Sequence, residues 1–159
     1  ERLARSGEIR AAIAALAQSL PAAEAVAWAL ASIRQIEPAG AKPEAAKPEF
    51  LAAIESIERW LAEPNDELRR AAKLAADRAG IATPAGCLAL AIFFSGGSIA
   101  PAEAPAAPQA PPEVCGKMVA GAMNLAAALD PRNAPERLRA FFDQGMRAAA
   151  KLKIWEKEA

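Results

Sequence analysis

The feature that most constrains this chain is a long uncharged stretch in its middle. Between Arg78 and Glu103 no residue carries a charge, and within that stretch residues 85–94 (AGCLALAIFF) are apolar or small. A helix that is apolar on every face has to be surrounded by other helices, because a surface helix keeps a polar face toward water. We therefore predict a buried central helix over residues 85–94, with the rest of the chain packed around it.

The same stretch has to be compared with a membrane span, which needs about 20 consecutive apolar residues. Glycine, proline, serine and threonine interrupt residues 79–102 on both sides of the central segment. The remaining apolar segment is too short to cross a bilayer, so we expect no membrane span. Residues 1–20 have mixed charge and no apolar core, so we also expect no secretory signal.

Apolar residues recur at helical spacing along the remainder of the chain, and proline or glycine separates the repeats. Alanine and leucine, which favour helix over strand, dominate these segments. We predict an all-α fold: one compact domain, residues 1–159, of six to seven helices with an extended proline-rich strap. Residues 38–48 (PAGAKPEAAKP) are predicted to be an exposed linker.

Four residues indicate where helices begin or end. Asn65 and Thr83 have the form of N-caps, and Asn133 stands three residues before Glu136, as in a capping box. We expect a helix to begin after each of the three. Gly80 is expected to end the preceding helix with a positive φ angle.

The overall charge gives no attraction to nucleic acid or to an anionic membrane, since Lys+Arg and Asp+Glu are equal at 19 each. The charges are uneven along the chain. Residues 44–68 hold seven acidic and two basic side chains, whereas residues 69–78 hold four basic and one acidic. We interpret this as an acidic helix beside a basic one, with a partner surface as the alternative. The predicted buried stripe of the basic helix is Leu68, Ala72, Ala75 and Ala79.

The residue types argue against catalysis. The chain has no histidine, so Ser-His and Cys-His pairs cannot form. Cys87 and Cys115 have no metal-ligand spacing around them. We predict no enzyme activity, catalytic residue, metal or cofactor. The cysteines are interpreted as reduced, buried thiols of a cytoplasmic protein, with a single disulfide between them as the alternative.

Two adjoining segments are the candidates for binding. In the Ser-Gly-Gly-Ser turn, residues 95–98, two glycines permit positive φ, so the turn either caps the central helix or contacts a partner or an anion. After it, prolines recur at every third position from Pro105 to Pro111, which is the period of a polyproline II rod. Such a rod either crosses the protein's own helices as a strap or docks in a partner's aromatic groove.

Trp155 lies in the charged tail KLKIWEKEA, where it either contacts a partner or packs against the last helix. The candidate partner-binding residues are therefore Ser95, Gly96, Gly97, Ser98, Pro101, Pro105, Pro108, Pro111 and Trp155.

Several segments together resemble a bacterial family of small helical proteins of unknown function. The segments are LPAAEAVAWA, WLAEPNDELRRAA, TPAGCLALAIFFSGGSIAP, a ribbon ending in APPE, and KMVAGAMNLAA, and they span most of residues 20–145. The family's hallmark matches at Ser95–Ser98, Pro101 and Val119–Ala122, whereas the ribbon departs from it at Glu103, Gln109 and Glu113. The resemblance implies no active site. It associates the chain with type VI secretion genes.

These observations predict a cytoplasmic, non-catalytic protein-protein interaction module: an adaptor or accessory protein, associated through the resemblance with a type VI secretion system. Its contact surface would include residues 95–112 or the acidic helix 49–63. One alternative is an immunity protein whose acidic helix matches the basic cleft of a toxin. Another is a small-ligand or enzymatic pocket beneath the Ser-Gly-Gly-Ser turn.

Overall fold

The computed structural model describes residues 2–36, 47–105 and 107–153, and over these residues the predicted all-α fold is confirmed. The helices are α1 (Arg2–Ser19), α2 (Ala22–Arg34), α3 (Pro48–Ala62), α4 (Asp66–Ala79), α5 (Pro84–Phe93), α6 (Glu113–Ala128) and α7 (Ala134–Leu152). Most of the predicted linker lies outside the described residues. At its end, Pro48 is the first residue of α3.

The short helix α5 is the centre of the molecule, as predicted. It packs against α2, α3, α4 and α6, and its residues are buried except for half-buried Leu90. Leu88 and Ile92 are fully buried, and each contributes about 1.5–3 kcal/mol to folding by leaving water. The second central helix, α6, packs on α5 and on α1, α2 and α7. The helices thus form layers, with α3 and α4 on the α5 side and α1 and α7 on the α6 side.

The start of α5 is determined locally. The Thr83 hydroxyl accepts a hydrogen bond from the Gly86 N–H (3.1 Å), and Pro84 occupies the first turn. A Cβ at Gly86 would lie 2.1 Å from the Gly80 carbonyl oxygen, so only glycine permits this approach. Gly80 itself has φ +85°, which confirms the predicted positive φ at the end of α4.

Of the other two predicted caps, one is confirmed and one is wrong. The Asn65 side chain accepts a hydrogen bond from the Leu68 N–H (2.9 Å) and caps α4. Asn133 makes no capping bond: its backbone is not extended (φ −100°, ψ 3°), and its side-chain amide donates to the Asp130 carboxylate (2.8 Å). The residues that do cap, Asn65 and Thr83, have the extended backbone typical of an N-cap, so α7 begins after Asn133 without the capping box.

Tryptophan Trp28 connects α2 to α7. Its indole N–H donates to the Phe141 carbonyl (2.8 Å) in the interior, and the ring lies against Gly145. A Cβ at Gly145 would be 2.5 Å from the ring, so the helices approach closely only because this residue is glycine. Trp60, on α3, is also buried.

The acidic and basic helices, α3 and α4, pack against each other as predicted. The ion pairs of the described residues nevertheless run elsewhere. Glu58 of α3 pairs with Arg34 of α2, while Lys73 of α4 pairs with Asp77 one turn along the same helix (2.7 Å). The charge difference along the sequence therefore produces adjacent helices without ion pairs between them.

Candidate functional site

The Ser-Gly-Gly-Ser turn follows directly on the buried end of α5. Gly97 has φ +72°, which confirms that the turn uses a positive φ angle, whereas Gly96 does not adopt one. The Ser95 N–H donates to the Ile92 carbonyl (3.0 Å), and the Ser98 hydroxyl accepts from the Ala100 N–H (3.1 Å). The turn therefore follows α5 directly, with the Ser95 N–H and the Ser98 hydroxyl both paired to nearby backbone.

Residues 98–105 and 107–112, which together we call the proline loop, fold back on themselves. Ser98 and Gln109 form an antiparallel bridge, and the Ile99 N–H donates to the Pro108 carbonyl (2.9 Å). This corrects the prediction of an extended strap or straight rod. A turn in which the Ala104 N–H donates to the Pro101 carbonyl (3.0 Å) reverses the chain, and the ends of the loop then pair with each other.

The predicted binding residues of this region lie together and face outward. Gly96, Gly97 and the prolines at 101, 105, 108 and 111 are exposed, while Ser95 and Ser98 are half-buried. The structure therefore brings the turn and the proline loop into one surface. Trp155 lies outside the described residues.

The most unusual side chain at this site is Arg69 of α4, which is buried although charged, with 4% of its surface exposed. Its guanidinium donates to the carbonyls of Phe93 (2.6 Å) and Ser98 (2.7 Å). It also lies over the Phe93 ring, 4.9 Å from the ring centroid. Arg69 therefore joins the end of α5 to the beginning of the proline loop.

Asp66 and Arg70 complete what we call the arginine clamp: Asp66, Arg69 and Arg70. Asp66 accepts from Arg69 through one carboxylate oxygen (2.9 and 2.6 Å) and from Arg70 through the other (2.9 Å). Arg70 donates in turn to the carbonyls of Ala100 (2.8 Å) and Ser98 (3.4 Å). One carboxylate thus orients two guanidinium groups toward the same segment of loop backbone.

The electrostatics of the clamp agree with this geometry. Hydrogen bonds from Arg70 and then Arg69 hold the pKa of Asp66 below its usual 3.8, so the carboxylate is ionised at neutral pH.

The Gly97 backbone lies directly over the Arg69 guanidinium, since a Cβ there would be 3.2 Å from Nη2. The position beneath the turn is therefore occupied by a side chain.

Cys87 on α5 and Cys115 on α6 are free, buried thiols, which confirms the predicted thiols over a disulfide. Burial raises the pKa of each thiol to about 11. The Cys87 thiol lies 3.4 Å from the Met118 carbonyl. Neither thiol is ionised at neutral pH, so neither has the thiolate that nucleophilic chemistry requires.

The comparisons with known proteins place the chain in a family. A family model described as a family of unknown function, DUF6931, matches residues 1–149. The chain belongs to the DUF6931 family. No curated protein and no solved structure matches it. The family assignment agrees with a resemblance to helical proteins of unknown function and adds no activity.

In this DUF6931 protein, sequence reasoning missed the arginine clamp although a signal was present. The predicted stripe on α4 began at Leu68, whereas the buried residues are Arg69, Ala72 and Ala76, at spacings of three and four. Extending the alanine stripe backward by one turn leads to Arg69. A charged residue on a buried face needs partners, and those of Arg69 are the Asp66 carboxylate and the carbonyls of Phe93 and Ser98.

The described part of this DUF6931 protein offers no obvious metal site or membrane helix. Its cysteine and acidic residues form no group of three that could hold a metal ion. None of its helices is both long and apolar enough to span a membrane.

Proposed function

We propose that this protein is a non-catalytic protein-protein interaction module, an adaptor or accessory protein, which binds its partner through the proline loop and the Ser-Gly-Gly-Ser turn. The observation that supports this most is the contrast between the loop's side chains and its backbone. Its prolines are exposed, yet its backbone is held by a buried arginine. A loop that only connected α5 to α6 would not need such an anchor.

The physical advantage of this arrangement is preorganisation. Proline and alanine side chains lose almost no rotamer entropy on binding, and a fixed backbone loses little more. A partner that contacts the loop therefore keeps most of the interaction free energy. The chemistry of the chain supports a role without catalysis, since the sequence has no histidine and both thiols are protonated at neutral pH.

The setting of this module is also part of the proposal. The resemblance in the sequence associates the chain with bacterial type VI secretion genes, and we propose that it acts in the bacterial cytoplasm as an accessory protein of such a system. A pocket for a small ligand beneath the turn has less support, because the Arg69 guanidinium occupies that position.

A second candidate, an immunity protein, is favoured by the outer face of α3. Glu55 is exposed one turn after Leu51, which has 56% of its surface exposed, and Glu49 is exposed in the first turn of the helix. Acidic residues around an apolar side chain are suited to a basic cleft on another protein. In this alternative α3 would contact a toxin, and the proline loop would be only structural.

One affinity experiment distinguishes the two surfaces. Purified protein is incubated with lysate of its source, and bound proteins are identified by mass spectrometry. Two variants accompany it: a loop variant with Pro105, Pro108 and Pro111 replaced by serine, and a helix variant with Glu49→Lys and Glu55→Lys. Each variant is the matched control for the other, and circular dichroism checks that both retain their helices.

Loss of a specific partner in the loop variant alone is the result we expect. Loss in the helix variant alone, with a toxin as the missing partner, would favour the immunity protein. A partner that both variants retain would show that neither surface is the contact, and the interaction proposal would be wrong in its present form.

A further inference from the structure

The proline loop has little packing of its own to keep it ordered. Most of its side chains are exposed, and each of its five prolines lacks an N–H. Its backbone bonds include those from Ile99 to Pro108 and from Ala104 to Pro101. Segments with so little buried surface are the ones that open locally while the rest of a protein stays folded.

What holds the loop against the helices is the arginine clamp. Its two guanidinium groups donate to the carbonyl of Phe93 at the end of α5 and to the carbonyls of Ser98 and Ala100 at the start of the loop. Three donor-acceptor contacts to Ser98 and Ala100 therefore come from one short stretch of α4. Charged donors make these bonds stronger than bonds between neutral groups.

Asp66 controls these contacts without touching the loop. Its side chain is exposed and accepts from Arg69 and Arg70, and both of these contact loop carbonyls. In the closed loop the Arg69 side chain is only 5% exposed, so its charge needs the carboxylate nearby. When the loop moves away, water reaches the guanidinium and replaces that support. The closed arrangement therefore depends on Asp66 more than the open one does.

We propose that the proline loop opens and closes as a separate unit while the helices remain folded, and that Asp66 is the positioning residue that sets how often it is closed. The opening is a property of the isolated protein. Its consequence for binding rests on the proposed function: a partner that recognises the closed loop would bind in proportion to the closed population.

Native-state hydrogen exchange on the full chain tests this directly. The reporter of the loop is the Ile99 N–H, which is bonded to Pro108, and the reporter of the core is the Val119 N–H inside α6. We expect Ile99 to exchange faster than Val119 and to depend weakly on low concentrations of urea. In Asp66→Asn we expect Ile99 to exchange roughly fivefold faster, the effect of an ion pair with one exposed partner.

Two control variants separate local from global effects. Asp77→Asn removes a carboxylate from the same helix that pairs with Lys73, and it should leave Ile99 unchanged. Ile57→Val removes a methyl group from a fully buried position of α3, so it should accelerate Val119 and leave Ile99 unchanged. Asp66→Asn should accelerate both reporters, because the clamp is lost in the open and in the unfolded state alike.

Two results would overturn the proposal. If Ile99 has the same protection and urea dependence as Val119, the loop opens only when the whole protein unfolds. If Asp66→Asn leaves Ile99 unchanged, the carboxylate does not set the closed population. Neither result depends on a binding partner, so this failure is distinguishable from failure of the interaction proposal.

Discussion

Replacement of Gly97 tests the geometry of the site most directly. Its φ of +72° is unfavourable for an L-residue, and alanine there costs about 1–2 kcal/mol. A Cβ would also lie 3.2–3.3 Å from the Arg69 guanidinium, which therefore has to shift while it holds the loop carbonyls. We expect Gly97→Ala to lower the free energy of unfolding by about 1–2 kcal/mol, and Gly97→Val by more, since a β-branched residue tolerates this region least.

The assay is thermal and urea denaturation followed by circular dichroism. For a domain of this size each kcal/mol changes the melting temperature by roughly 2–4 °C, so Gly97→Ala should melt about 2–8 °C lower. Gly96→Ala is the matched control, because its φ is not positive and nothing lies within 4 Å of the added Cβ. We expect that variant to remain within about 0.5 kcal/mol of the natural protein.

The strain introduced by Gly97→Ala can also be relieved if the proline loop opens. Exchange of the Ile99 N–H is therefore measured on the same variants, and it should be faster in Gly97→Ala. If Gly97→Ala and Gly96→Ala have equal melting temperatures and equal Ile99 exchange, the positive φ and the contact with Arg69 do not constrain the turn, and our account of it is wrong.

Three further predictions concern the helices, the thiols and the clamp. Gly145→Ala should destabilise the protein by about 1 kcal/mol or more, because its Cβ would lie 2.5 Å from the Trp28 ring. Gly7→Ala has nothing within 4 Å of the added Cβ and should stabilise the protein by about 0.5–1 kcal/mol. Urea denaturation measures the change in the free energy of unfolding for both variants. Cys87 and Cys115, whose burial raises their pKa to about 11, should not react with a disulfide reagent at pH 8 until the protein is unfolded in urea, as absorbance would show. The pKa of Asp66 is lower in the folded state than its value of 3.8 in the unfolded chain. The stabilisation that the carboxylate gives is therefore complete above pH 3.8 and is lost as the pH falls through the folded-state pKa. The difference in melting temperature between the natural protein and Asp66→Asn should accordingly shrink between pH 4 and pH 2.

Much of the fold could be read from local patterns. The buried helix α5 followed from an apolar segment of ten residues, and its start followed from the Thr83 cap. Asn65 and Gly80 likewise marked the ends of α4. Such signals work because each involves groups only a few residues apart, so the sequence itself specifies the contact. Asn133 shows the limit, because its backbone is not extended and its side chain bonds to Asp130 without capping α7.

The candidate site could be predicted only in part. Residues 95–98 were correctly identified as a turn with positive φ, and the prolines were correctly identified as a distinct segment. The fold-back of the proline loop was missed, because proline spacing describes the rod that a free chain would adopt. The bridge between Ser98 and Gln109 depends both on the turn from Pro101 to Ala104 and on the arginine clamp that holds the start of the loop.

What the sequence by itself determined is therefore the all-helical class, the positions of most helix ends, and the central place of α5. These depend on short-range hydrogen bonds and on the period of apolar residues. Only the tertiary structure decided which residues hold the Ser-Gly-Gly-Ser turn and the proline loop in place. Arg69 meets Phe93 and Ser98 across 24 and 29 residues of sequence, and Trp28 meets Phe141 across 113. Such partners are selected by helix packing, which brings a buried donor to whichever carbonyl lies opposite.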